Sequence, residues 1–199
     1  MTVAGRTALL ALHYQNDVLH AHGKIRLGLA GDGAQRERLV GCAGALLAGA
    51  RARDWPIFHV RVAFRPDGGD IVQNCAIFRA VAANGAVREG SWGARFFDSL
   101  APDAQRTAEH VVTHRRINAF YDSALEAGLR ECRPQRLVVC GVATHSVVES
   151  TVRHAADMGY DVWVAADACA AADPAAHAAS LASMGLIATV CTGPDCLAA

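Results

Sequence analysis

The chain has 199 residues, 52% of them apolar, and its 19 Lys+Arg are balanced by 19 Asp+Glu. That length supports one substantial core and a single domain over residues 1–199. A neutral balance with no basic run leaves no electrostatic footprint for nucleic acid or a membrane surface. No stretch approaches the roughly 18–20 unbroken apolar residues that span a bilayer.

The N-terminal run MTVAGRTALLALHYQND is too short in its apolar part, and too soon polar, for a signal peptide. It reads instead as a buried strand, Thr7–Leu12. Asp32 is placed to cap a helix running to about Asp54, with Leu39, Leu46 and Leu47 on one face. A strand follows at Pro56–Val62. Phe64–Leu100 is irregular, with one short helix near 75–83, and is long enough to carry part of a binding site. His110–Thr113 reads as a strand, and Ser123 as the cap of a helix over 124–132. Glu126 stands at the capping-box position there, and Pro134 lies just beyond the end. The remaining elements are a strand at Arg136–Cys140, a helix at His145–Met158 closed by Gly159, and a strand at Asp161–Ala165. A helix at Pro174–Met184 capped by Asp173 and a strand at Ile187–Cys191 complete the chain. Continuously apolar strands alternating with helices predict right-handed βαβ units. The fold class is therefore α/β, a doubly wound parallel sheet covered on both faces.

Seven cysteines, at 42, 75, 132, 140, 169, 191 and 196, include no Cys-x-x-Cys pair. They read as reduced core thiols of a cytoplasmic protein, and no two are spaced for zinc. Ligands of open α/β sheets sit beyond the carboxyl ends of the strands. Three segments therefore matter, namely His13–Asp17, His114–Phe120 and Gly141–Val147, and each holds or adjoins a histidine.

These segments also carry a resemblance. ALLALHYQND is similar to the opening strand of the isochorismatase-like cysteine hydrolases, usually apolar-apolar-Asp-x-Gln-Asn-Asp. VVTHRRINAF resembles their Lys-x-Arg-x-x-Ala-Phe segment. GVATHSVVESTVRHAADMGYDVWVAADACA resembles their Gly-Val-Ala-Thr-x-x-Cys-Val strand, loop and helix. The resemblance implies a six-stranded parallel sheet, a homodimer or homotetramer, and hydrolysis of an amide or vinyl ether in a small metabolite. It also implies an oxyanion hole from amides near Ala143 and Val147, beside a cis peptide between Val142 and Ala143. The family's nucleophilic cysteine, with its flanking aspartate and lysine, is not carried over. The aspartate position is His13, the lysine position is His114 and the nucleophile position is Val147. A valine cannot attack a carbonyl, so the thioester route is closed.

The residues leave several readings open. His13 and His114 are candidate catalytic groups, because imidazole can hold or release a proton near neutral pH. The bland alternative is two histidines bonded into structure. His145 is a candidate third imidazole, and three could hold Zn²⁺ or Fe²⁺ with an open position. The spacing matches no metal motif, however, and no cofactor is expected. The family's metal site after the second strand has no counterpart in VRVAFRPDGGD. Ser146 is a lesser candidate nucleophile, expected to face away from Val147 by the 100° step of an α-helix. Asp17 is either a substitute acid or the holder of a turn. Gln15, Arg116, Phe120, Ala143, Thr144, Val147 and Trp92 are candidate substrate-binding residues. Phe64 and Arg65 join Trp92 as a pairing suited to a planar carboxylated ligand. The leading expectation is a hydrolase working by non-covalent histidine acid–base chemistry. A lyase or isomerase using the same imidazoles, a metalloenzyme, and an inactive member that binds a ligand or partner are its rivals.

Overall fold

A computed structural model describes residues 7–29 and 33–198. The proposed Asp32 cap lies outside those residues. The strands among the described residues are β1 (Thr7–Leu12), β2 (Ile57–Val62), β3 (Glu109–His114), β4 (Arg136–Val142), β5 (Asp161–Ala170) and β6 (Thr189–Cys191). They form one sheet in the order β3-β2-β1-β4-β5-β6, with every neighbouring pair parallel. The order reverses between β1 and β4. That is the crevice where ligands of such sheets bind.

The helices are α1 (Asn16–Leu19), α2 (Gly33–Ala52), α3 (Ala76–Asn84), α4 (Leu125–Cys132), α5 (Glu149–Asp157), α6 (Pro174–Met184) and α7 (Gly193–Ala198). α2 and α7 pack on each other and on β5, whereas α5 and α6 form a separate group against β5 and β6. The central strands are buried throughout, which explains their continuous apolar runs. A smaller cluster of Phe64, Phe78, Val81 and Val87 lies beneath the irregular segment that follows β2.

The expected boundaries shift where local chemistry intervenes. β3 reaches His114 and β4 reaches Val142, so two site segments begin on the sheet itself. β5 continues to Ala170, past a register shift opposite Val139 and Gly141. β6 is shorter than expected because Leu186 and Ile187 turn out of α6 into solvent. Ala124, not Ser123, occupies the cap position of α4, although the Ser123 hydroxyl still accepts from Leu125 N–H at 3.2 Å. Glu126 closes no capping box and pairs with Arg130 one turn on. α6 begins as expected, with Asp173 accepting from Ala175 N–H at 2.9 Å.

The expected helix His145–Met158 is really two pieces. Thr144–Val148 forms a wide π-helical turn before α5 begins. β1 and β4 approach closely just ahead of it. A Cβ on Gly141 (φ 146°) would stand 2.4 Å from the Leu12 carbonyl oxygen, so this position requires glycine. Among the described residues no helix is long and apolar enough to cross a membrane.

Candidate active site

The backbone turns sharply as it leaves β1. His13 has φ 60°, a left-handed conformation that costs a non-glycine residue roughly 1–2 kcal/mol. Such outliers gather at functional sites. On the far side of β2, His114 ends β3 as the register partner of Val62. The two imidazoles meet across the end of β2, with Nε2 to Nε2 at 2.5 Å and ring centroids at 4.8 Å.

Neighbouring atoms settle where their protons sit. His114 Nδ1 lies 3.1 Å from the Asn118 carbonyl oxygen. A carbonyl only accepts, so Nδ1 carries hydrogen and Nε2 of neutral His114 offers a lone pair. His13 therefore donates from its Nε2, which leaves Nδ1 as its basic nitrogen. Burial holds His13 well below the ordinary histidine value, and the neighbouring His114 lowers it further. Burial brings His114 down to about 4, partly opposed by its hydrogen bond to Asn118. At neutral pH the pair carries no charge.

His13 is half-buried and lines a cavity of about 50 Å³; His114 is fully buried behind it. The wall is mostly apolar and includes Val62, Phe64, Phe78, Val142, Ala143 and Val147, with Arg116 and Ser146 as further polar members. A chamber of that size holds a few waters or the reacting end of a ligand. An adjoining, more open cavity of about 620 Å³ shares Ile25, Leu27, Ile77, Val81, Ile117 and Ser146 with it.

The peptide between Val142 and Ala143 is cis. Beyond it, Ser146 N–H and Val148 N–H both return to the Ala143 carbonyl, at 3.1 and 3.4 Å. Among the described residues nothing accepts the N–H of Ala143. Val147 is buried against the inner chamber, in the seat expected for a nucleophile. Ser146 was expected to face away but lines both cavities. The π-helical turn does not keep the α-helical step on which that expectation rested.

The structure separates the other candidates. His145 is exposed and lines only the outer cavity. Among the described residues no three His, Cys, Asp or Glu side chains converge as metal ligands. Gln15 is fully buried, with its amide spent on Val62 and Ala94. Phe120 stacks on His154 at 4.7 Å, away from both cavities. Thr144 is buried against His177, with Oγ1 to Nδ1 at 2.8 Å. Trp92 is exposed and meets His20 edge-on. Asp17 is no substitute acid: its two oxygens accept from the N–H groups of Lys24 and Val87, tying the turn after β1 to the loop after α3. Phe64 lines the inner chamber, whereas Arg65 pairs with Asp67 at the surface. The segment Lys24–Leu27 also lines the outer cavity, and its only signal in the sequence is an alternation of cationic and apolar residues.

Comparison with known proteins agrees with this architecture. A family profile described as "Isochorismatase domain" matches residues 7–195. The isochorismatase family protein YecD of Escherichia coli O157:H7 is 29% identical over 174 residues, spanning 87% of this chain and 85% of YecD. An isochorismatase family protein from Desulfovibrio vulgaris superposes with a TM-score of 0.84 at 27% identity, covering 98% of this chain and 100% of that one. The ureidoacrylate amidohydrolase RutB of Acinetobacter baylyi is 34% identical over 94 residues, 47% of this chain and 37% of RutB.

Proposed function

The chain belongs to the isochorismatase family, and from that premise we propose that it is a hydrolase acting on an amide-type or vinyl-ether bond of a small metabolite without a covalent intermediate. One observation carries the reading, the 2.5 Å contact of His13 and His114 at the edge of an enclosed chamber. RutB is an amidohydrolase by name, which favours the amide-type bond.

The steps follow from the proton positions. A water in the chamber loses a proton to His13 Nδ1 as its oxygen attacks the carbonyl carbon. His13 passes its Nε2 proton to His114 Nε2, so the positive charge spreads towards the Asn118 carbonyl. The tetrahedral oxyanion is met by the Ala143 N–H. When the C–N bond breaks, His13 Nδ1 returns a proton to the leaving nitrogen and His114 returns its own to His13. The amide and water become acid and amine, and the pair ends as it began. General-base catalysis of this kind supplies roughly 10²–10⁴-fold, and a single oxyanion donor roughly 10²–10³-fold.

A second reading is a family member that binds a ligand without turning it over. It is favoured by the absence of an aspartate, lysine or cysteine from the three positions where the chemistry would be expected. A panel of small amides and vinyl ethers, assayed with wild type, His13→Ala and His114→Ala, separates the two. Turnover lost by at least about 100-fold in both variants supports the acid–base reading. Turnover untouched by either substitution overturns it, and ligand binding with no turnover in wild type supports the second reading.

A further inference from the structure

We infer that the outer cavity is the seat of an anionic group on the substrate, and that this enzyme takes amphipathic carboxylates: an apolar body, a negative charge beside Lys24 and Arg26, and a slim reactive end that reaches His13. This rests on the catalytic reading above for the reactive end. The binding claim stands on its own observations.

The volumes divide the ligand. About 50 Å³ of inner chamber admits the bond to be cleaved and little else, whereas about 620 Å³ outside it admits a body of metabolite size. Ile25, Leu27, Ile77, Val81 and Ile117 line both spaces, so the body they fit is apolar.

The charges name the remaining group. Lys24 and Arg26 line the outer cavity, Arg116 lines the inner one, and neither space has an acidic side chain among its described lining. All three cations rest on neutral oxygens. Lys24 Nζ donates to the Gly85 carbonyl at 3.1 Å and Arg26 to the Ala21 carbonyl at 3.1 Å. Arg116 donates to the Val72 carbonyl at 3.3 Å and to Asn74 Oδ1 at 3.0 Å, with its guanidinium 4.2 Å from the centre of the Phe78 ring. The contrast is local, since the adjacent Arg115 is paired with Asp70 at 2.7 Å. In a chain whose charges balance overall, three cations around two adjoining apolar spaces, without a carboxylate partner among the described residues, leave that partnership to the ligand.

The test compares 4-phenylbutyrate with 4-phenylbutan-1-ol, which share a body, differ in charge and carry no bond to hydrolyse, by isothermal titration calorimetry at pH 7. The proteins are wild type, His13→Ala and the double variant Lys24→Gln/Arg26→Gln. In wild type the carboxylate is expected to bind about tenfold tighter than the alcohol. That preference should persist in His13→Ala and shrink to about threefold or less in the double variant. Equal or tighter binding of the alcohol, a preference unchanged in the double variant, or no measurable binding of either compound overturns the proposal. Because His13→Ala is read by binding, failure of the catalytic mechanism leaves this result intact, and the reverse also holds.

Discussion

Gln15 grips Val62 at both of its polar backbone groups, accepting from its N–H at 2.8 Å and donating to its carbonyl at 2.9 Å. Val62 is in turn the register partner of His114. One buried amide thus ties the turn that carries His13 to the end of β2, the strand that pairs with the one carrying His114. Gln15 is a positioning residue, not a ligand contact.

Replacing Gln15 by Ala strands the N–H and carbonyl of Val62 and the carbonyl of Ala94 without their partner. Each unsatisfied buried group costs about 1–3 kcal/mol, so with three of them a loss of about 3 kcal/mol or more is expected. Urea denaturation measures it. A variant as stable as wild type would show that the clamp contributes nothing.

The histidine pair makes stability depend on pH. His114 stands at about 4 in the folded chain, below its ordinary value, so the unfolded chain takes up the proton first. The neutral pair's contribution is complete above pH 6.5 and is lost as the pH falls from there to about 4. For His114 alone the loss is on the order of 3 kcal/mol, and His13 is shifted in the same direction. Denaturation at pH 7.5 and 4.5 should show a smaller difference for His114→Gln than for wild type. An identical difference would mean that His114 does not titrate in this way.

The same shift sets the expected activity profile. Because the basic form of His13 survives well below the ordinary histidine range, the acid limb of kcat/KM should lie well under pH 6.5. A limb centred near 6.5 would indicate an ordinary, solvated histidine.

Val147→Cys places a thiol at the position that the resemblance assigns to a nucleophile, but not the charges expected to flank it. The imidazoles nearby are neutral, and the Arg116 guanidinium on the same chamber is held by the Val72 carbonyl and Asn74 Oδ1. Alkylation by iodoacetamide, followed by intact mass, should give one adduct more than wild type, with a midpoint at or above about pH 8.5. A midpoint below 7 would reveal an activating charge that the present account lacks.

Much of this was legible in the sequence because burial on both faces leaves an unbroken apolar signature. β1 and α6 fall where their residues predict them. Strand ends were harder, since Asp167 interrupts the apolar run of β5, which nevertheless continues, pairing with Gly141 and Val142, to Ala170. In the site, His13, His114 and Val147 could be read from their places in motifs. The aim of a side chain could not. Gln15 looks like a ligand contact until its two bonds to Val62 are seen, and Ser146 faces the chambers only because the turn holding it is π-wound. The basic rim went unread because Lys24 and Arg26 acquire meaning only when Ile77 and Ile117 are folded against them.

The central claim is a neutral, proton-ordered histidine pair, and long-range ¹H–¹⁵N correlation spectra of ring-labelled histidines at pH 7 test it without any substrate. The expected result is a neutral His114 with hydrogen on Nδ1 and a bare Nε2, beside a neutral His13 with hydrogen on Nε2. An imidazolium at either position, or hydrogen on His114 Nε2, would contradict the account.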